Sequence, residues 1–246
     1  MPTSKSNQTA DPTQSLQTFS LAELQPYTRE QIYASNASKD FHLFFVGRDD
    51  VHDILKFILS RVRISLYLNM FGFDDDELNE IIFQKALDPT ITMLITLDES
   101  QSGGAHEKAL LDLDRKQSLS AFNTHFVIGQ SATHQISHTK GFVADGKVAA
   151  EGSTNWSSSG EGTFIVTKAG QAAANEKAKA NPQLKPGGPG YKAQNNTQSV
   201  ITDPDTITRF TAELIAEHLA AQNHAALNNP SQGSIAAKTL KPKVGQ

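Results

Sequence analysis

The chain has 246 residues, no cysteine and a formal net charge of -4, with 38% apolar residues. That length suits one domain with tails, and the composition excludes disulfides, thiol catalysis and cysteine-based zinc sites. The acidic balance argues against a protein that coats nucleic acid, whose affinity comes largely from neutralising phosphates, while leaving room for a local basic groove.

Residues 1–39 read as a polar N-terminal tail, whose first 20 residues set Met1, Leu16 and Phe19 among mostly Ser, Thr, Gln, Asn and Asp. Residues 223–246 read as a polar C-terminal tail. Such stretches bury too little apolar surface to order themselves. The opening MPTSKSNQTADPTQ has no apolar core of a secretory signal, and no run approaches the roughly 18–20 apolar residues that span a bilayer. A soluble cytoplasmic protein with no stable membrane association is expected.

Residues 40–222 carry the periodic pattern of a domain. Phe41–Val46 is a short apolar run closed by Gly47 and predicts a strand. Asp49 and Asp50 suit a helix N-terminus, and Val51, Ile54, Leu55, Ile58 and Leu59 follow at amphipathic spacing. Ile64–Phe73 predicts a buried strand, and Asp74–Asp76 open a second helix carrying Leu78, Ile81, Ile82 and Leu87 before Pro89 ends it. Ile91–Leu97 is another strand. This alternation predicts an α/β fold with a mixed, largely parallel sheet flanked by helices. His106–Lys116 is expected to be helical, with short strands at Thr124–Ile128 and Thr163–Val166. Asp145-Gly146 is a hairpin signal between two further strands. Residues 168–197 lose all periodicity and read as an insertion. A strand resumes by Ser199–Ile201, and Asp203-Pro204 caps a last helix whose buried stripe is Ile207, Phe210, Leu214 and Leu219.

The chemistry lies in HTKGFVADGKVAAEGSTN, residues 138–155. It fits His-x-Lys, four residues, Asp, six residues, Gly-Ser-x-Asn, filled by His138, Lys140, Asp145, Gly152, Ser153 and Asn155. Residues two apart on a strand share a face, so His138 and Lys140 present an imidazole and an ammonium together. The hairpin returns Gly152–Asn155 beside them. One nucleophile, one fixed cation and two neutral donors suit a phosphate diester and the charge on its non-bridging oxygens. Asp145, at the hairpin tip, has a second reading as a turn and salt-bridge residue. His134 reads as a loop histidine, and His42, His52, His125, His218 and His224 show no metal-ligand clustering in sequence.

This stretch resembles the HKD motif of the phospholipase D superfamily, which includes phospholipases, nucleases and phospholipid synthases. Trp156-Ser157 and the segment NNTQSVITDPDTITRF (195–210) are similar to the family's continuation, and the resemblance spans residues 40–222. It implies a phospholipase D-like fold and a metal-independent, cofactor-free phosphodiesterase. His138 would attack phosphorus to form a phosphohistidine, a second histidine would protonate the leaving oxygen, and Lys140, Ser153 and Asn155 would hold the phosphoryl oxygens. The family uses two such motifs per site. The only other His-x-Lys, His106-Glu-Lys108, lies in a helical pattern that would set its side chains about 200° apart. The second histidine is therefore expected from another copy of the chain in a two-fold homodimer with a shared active site.

The family usually carries an acid just before the strand that precedes the last helix, where it orients the nucleophilic histidine. Here that segment, Asn195–Ser199, has no carboxylate. Gln198, Thr197, Glu151 and Glu161 are the groups left to orient His138. The insertion holds Lys168, Lys177, Lys179, Lys185 and Lys192 against one acid, Glu176, in residues 168–192. It reads either as a solvated loop or as a basic arm for a polyanion. The favoured function is an endonuclease on DNA or RNA. The alternatives are a phospholipase D-type lipid phosphodiesterase and a weak or inactive nucleic-acid-binding module.

Overall fold

The structure, a computed structural model, describes residues 15–98, 124–129, 138–162 and 194–228, together with Lys108, Ala109 and Asp112. The strand expected at Thr163–Val166, the insertion as far as residue 193, His106, His134 and the chain ends before 15 and after 228 lie outside the described residues.

The elements in chain order are β1 (Phe41–Phe45), α1 (Val51–Ser60), β2 (Ser65–Met70), α2 (Asp76–Ala86), β3 (Thr92–Asp98), β4 (Thr124–Gly129), β5 (Gly141–Ala144), β6 (Val148–Gly152), α3 (Ser158–Glu161), β7 (Thr197–Ile201) and α4 (Pro204–Asn228). The strands form one seven-stranded sheet in the order β1-β7-β6-β5-β2-β3-β4. The sheet is mixed. β2, β3 and β4 are parallel, whereas β5, β6, β7 and β1 join antiparallel beyond β2. β1 is the far edge strand and pairs with β7, so chain neighbours β1 and β2 do not touch in the sheet.

Helices cover both faces. α1 caps on Asp50 and buries Val51, Ile54, Leu55, Ile58 and Leu59, as their spacing requires. α2 caps on Asp75, whose Oδ1 accepts from the Leu78 amide at 2.8 Å. Both helices pack with Leu66, Leu68, Met93, Ile95, Phe142 and Ala150 into the main core. On the other face α4 closes a smaller core of Val143, Ala149, Ile207 and Leu214, with Tyr67, Ile201 and Phe210 partly buried against it. The buried stripe of α4 departs from expectation at its end. Leu219 is exposed, and His218 and Ala221 are buried instead. Five residues beyond Leu214, Leu219 is turned about 140° from it, whereas residues four and seven on stay near the same line.

The N-terminal region also departs from expectation. Leu16–Thr18 and Leu21–Tyr27 form 3-10 turns, the second opened by a Ser20/Glu23 capping box. Leu16, Leu21 and Leu24 are buried in the main core. Glu23 accepts from the Arg61 guanidinium at 2.6 Å, and that guanidinium lies over the Phe57 ring at 3.7 Å. Residues 15–27 are thus part of the domain rather than a tail. At the other end α4 runs to Asn228, past the expected boundary at 222.

Candidate active site

The register of the sheet gathers the site at one edge. Gly141 stands opposite Asn69, so Lys140 meets the end of β2. Glu151 stands opposite Gly141 and Gly152 opposite Gln198, and the Gly152 amide donates to the Lys140 carbonyl at 3.2 Å, so Ser153 follows directly after the residue that faces Lys140 and lies against Thr197 and Asn196. β3 runs parallel to β2 and ends at Asp98 on the same edge. The antiparallel return of β5, β6 and β7 is therefore what assembles the motif.

His138 is exposed, and its ring meets the Phe71 ring edge-on with centroids 4.7 Å apart. Lys140 is buried at 3% exposure, and its ammonium lies 4.9 Å from the same Phe71 centroid. Phe71 thus backs both groups, which share a side as strand alternation requires. Lys140 Nζ donates to the His138 carbonyl at 2.8 Å. Burial pulls the Lys140 ammonium below its ordinary pKa, opposed by the charges of Asp98 and Glu151.

Ser153 and Asn155 are held differently. The Ser153 hydroxyl accepts from the Thr197 amide at 3.0 Å and donates to Asn196 Oδ1 at 3.2 Å. Gly152 is required here, because a Cβ would lie 2.1 Å from the Thr197 carbonyl oxygen. Asn155 packs on Gly72 so closely that a Cβ at 72 would lie 3.0 Å from the Asn155 Cβ. Its Oδ1 is buried with no hydrogen-bond partner among the described residues. Trp156, buried against Phe73 and Phe142, anchors the loop, and its amide donates to the Gly72 carbonyl at 2.8 Å. The Asp74 amide donates in turn to the Trp156 carbonyl at 2.6 Å.

Asp145 sits at the opposite end of β5. It and Gly146 have positive φ, 52° and 61°, as a type I′ turn needs. Its carboxylate accepts from the amides of Arg63, Ile64 and Ser65 at 2.8–3.1 Å. That fastens the hairpin to the start of β2, so the turn reading describes Asp145 better than a catalytic one.

None of the four groups considered for orienting His138 bonds to its ring, which makes no hydrogen bond among the described residues. Gln198 is buried and donates to the Ser199 carbonyl at 3.3 Å. Thr197 serves Ser153 and Thr154 through its backbone. Glu151 is exposed on β6 and bears on Lys140 only through its charge. Glu161 is buried at 1% exposure and contacts His52 Nδ1 at 2.5 Å.

Four site residues escaped the sequence pattern: Phe71, Gly72, Asp98 and Asn196. Each lies at or just beyond the end of a strand, so only sheet register reveals it. An acid ending an apolar run marks Asp98, and Asn196 directly precedes β7. His52, which shows no ligand spacing in sequence, meets Asp75 and Glu161, with ligand-type atoms all within 4.8 Å. Those residues come from α1, the cap of α2 and α3, which is why no local spacing reveals the cluster.

No protein-family model matches the sequence, and no curated protein matches it. Solved structures do. NucT from Helicobacter pylori is 15% identical with a TM-score of 0.51, covering 74% of this chain and 96% of its own. Nuc from Salmonella typhimurium, a phospholipase D family member, is 12% identical with a TM-score of 0.46, covering 74% and 97%. A phosphatidylserine synthase from Haemophilus influenzae is 10% identical with a TM-score of 0.45, covering 81% and 44%. The fold is phospholipase D-like. Among the described residues no helix is long and apolar enough to cross a membrane.

Proposed function

We propose that this chain is a metal-independent phosphodiesterase that acts on nucleic acid through a phosphohistidine at His138, in a site shared between two copies. The observation that carries this reading is the placement of His138 and Lys140 on the Phe71 ring, next to Gly72, on which Asn155 packs, in a phospholipase D-like fold. A ring nitrogen of His138 bonds to phosphorus as the bond from phosphorus to the leaving oxygen breaks. The partner subunit's His138 gives that oxygen a proton. The same imidazole then takes a proton from water, which attacks phosphorus and releases His138. Lys140 and the amide of Asn155 stabilise the charge on the non-bridging oxygens.

A second reading, a weak or inactive nucleic-acid-binding module, is favoured by one observation. The residue before β7 is Asn196, and nothing among the described residues holds the His138 ring by a hydrogen bond. One experiment separates the readings. The protein is incubated in EDTA with plasmid, single-stranded RNA, bis(p-nitrophenyl) phosphate and phosphatidylcholine. Nucleic-acid cleavage that disappears in His138→Ala supports the nuclease. Turnover of lipid alone makes it a lipid phosphodiesterase, and no turnover of any substrate leaves the binding module. Activity that returns only with a divalent metal overturns the mechanism.

A further inference from the structure

Two chain segments press Asn155 between them. One is the exit from β2, where Gly72 lies against the Asn155 side chain and trades backbone hydrogen bonds with Trp156 through Gly72 and Asp74. The other is the loop itself, which runs from Gly152 through Trp156 into α3. There Gly160 closes on the Asn155 carbonyl, 2.2 Å from where a Cβ would stand, and the Gly160 carbonyl accepts from Asn196 Nδ2 at 3.0 Å.

Both segments end on one buried imidazole. Glu161, directly after Gly160, meets His52 Nδ1 at 2.5 Å. Asp75, three residues after Gly72, brings its Oδ2 to 3.5 Å from the same nitrogen while its other oxygen caps α2. Glu77 holds His52 Nε2 at 2.9 Å and is itself paired with Lys56. His52, Asp75 and Glu161 are all buried. Two buried carboxylates from separate segments repel unless a cation lies between them, so the imidazole sets their spacing.

We propose that His52 is a positioning residue for the phosphate-binding loop, bridging Glu161 behind the loop to Asp75 on the strand exit, and thereby fixing Asn155. This rests on the phosphodiester reading of the site for its effect on turnover, and on the contacts alone for its effect on the loop. His52 touches no reacting atom. It acts through Asn155.

The test compares His52→Gln, Asn155→Ala and the double variant, with Glu161→Gln as a second way to break the bridge should His52→Gln fail to fold. Turnover of bis(p-nitrophenyl) phosphate, melting temperature and amide hydrogen exchange are measured on each. His52→Gln is expected to lower kcat/KM at least tenfold, mainly in kcat. In the Asn155→Ala background the same change should cost less than twofold in kcat/KM, yet lower the melting temperature as much as it does alone. Exchange at the Asp74 and Trp156 amides should quicken while the middle of α4 stays protected. Fold-losses that multiply in the double variant, or a lower melting temperature with full turnover, overturn the proposal. Unchanged exchange at Asp74 and Trp156 overturns it too, and reads out even if the wild type turns over no substrate, which would end the functional reading separately.

Discussion

The hydroxyl of Ser153 donates to the side-chain oxygen of Asn196 at 3.2 Å, joining the motif loop to the residue that directly precedes β7. Asn196 uses its amide nitrogen to hold the Gly160 carbonyl at 3.0 Å and Gln194 at 2.9 Å. Asn196→Asp keeps the acceptor for Ser153 and brings a negative charge to the site, but it deletes both donors. The expected outcome is a gain of several-fold in kcat with a loss of about 1–2 kcal/mol in stability from the stranded carbonyl. Steady-state rates and denaturant midpoints on the same preparations measure both. A variant that is slower and equally stable contradicts this placement of Asn196.

Gly72 offers a sharper separation of activity from stability. A Cβ there would lie 3.0 Å from the Asn155 Cβ and 3.1 Å from its Cγ, so alanine must push that side chain aside. Asn155 is half-buried, and overpacking of this kind typically costs about 1–3 kcal/mol in stability. Loss of one aligned donor at a site of developing charge typically costs about 10²–10³ in kcat. Gly72→Ala should therefore fold and lose kcat by at least tenfold. Full activity in a folded Gly72→Ala protein would mean that Asn155 does not hold the phosphate.

Much of this was legible in the sequence, and its limits are physical. The spacing of Val51, Ile54, Leu55, Ile58 and Leu59 prescribes α1, and Asp145-Gly146 prescribes the hairpin, because both are local signals. The motif was legible because its six residues fall within one window of 18. Sheet order was not: nothing in the run FHLFF says that β1 pairs with β7 at the far edge rather than with β2. Phe71, Asp98 and Asn196 join the site through register across strands, which single-chain periodicity cannot carry. Leu16, Leu21 and Leu24 are irregularly spaced among polar residues, so their burial has no periodic trace. Glu161 meets His52 across 109 residues of chain, a contact that no local spacing reveals.

The proposed sharing of the site between two copies makes a prediction about mixtures. If each site needs a His138 from both subunits, wild type exchanged with an equal amount of His138→Ala should retain about one quarter of the activity of the same total of wild type, because only like-with-like wild-type pairs work. Independent sites would retain about one half. Denaturing and refolding the two proteins together, followed by the bis(p-nitrophenyl) phosphate assay, distinguishes these values. A sedimentation measurement at the assay concentration must also show a dimer. A fully active monomer would remove the partner histidine from the mechanism.

Two buried histidines should limit stability at opposite ends of the pH range. Burial alone would lower the His52 pKa, but hydrogen bonds to Glu161 and Glu77, with the charges of Glu161 and Asp75, raise it to about 10. The folded state therefore holds a proton that the unfolded chain releases near 6.5, so this contribution is fully present below about 6.5 and is lost as pH rises through about 10. His218 is the reverse. Burial, with the charge of His125, lowers it to about 4, while its ring nitrogens meet Thr96 and Gln222 at 3.0 Å. Its contribution is present above about 6.5 and is lost as pH falls through about 4. Melting temperature from pH 4 to 10 should form a dome, with His52→Gln flattening the alkaline arm and His218→Gln the acid arm. Replacing His52 by Ala leaves Asp75 and Glu161 buried without their cation, a loss on the order of 3–5 kcal/mol at neutral pH. An alkaline arm as steep in His52→Gln as in the wild type would assign the proton to another group and leave His52 neutral between its carboxylates.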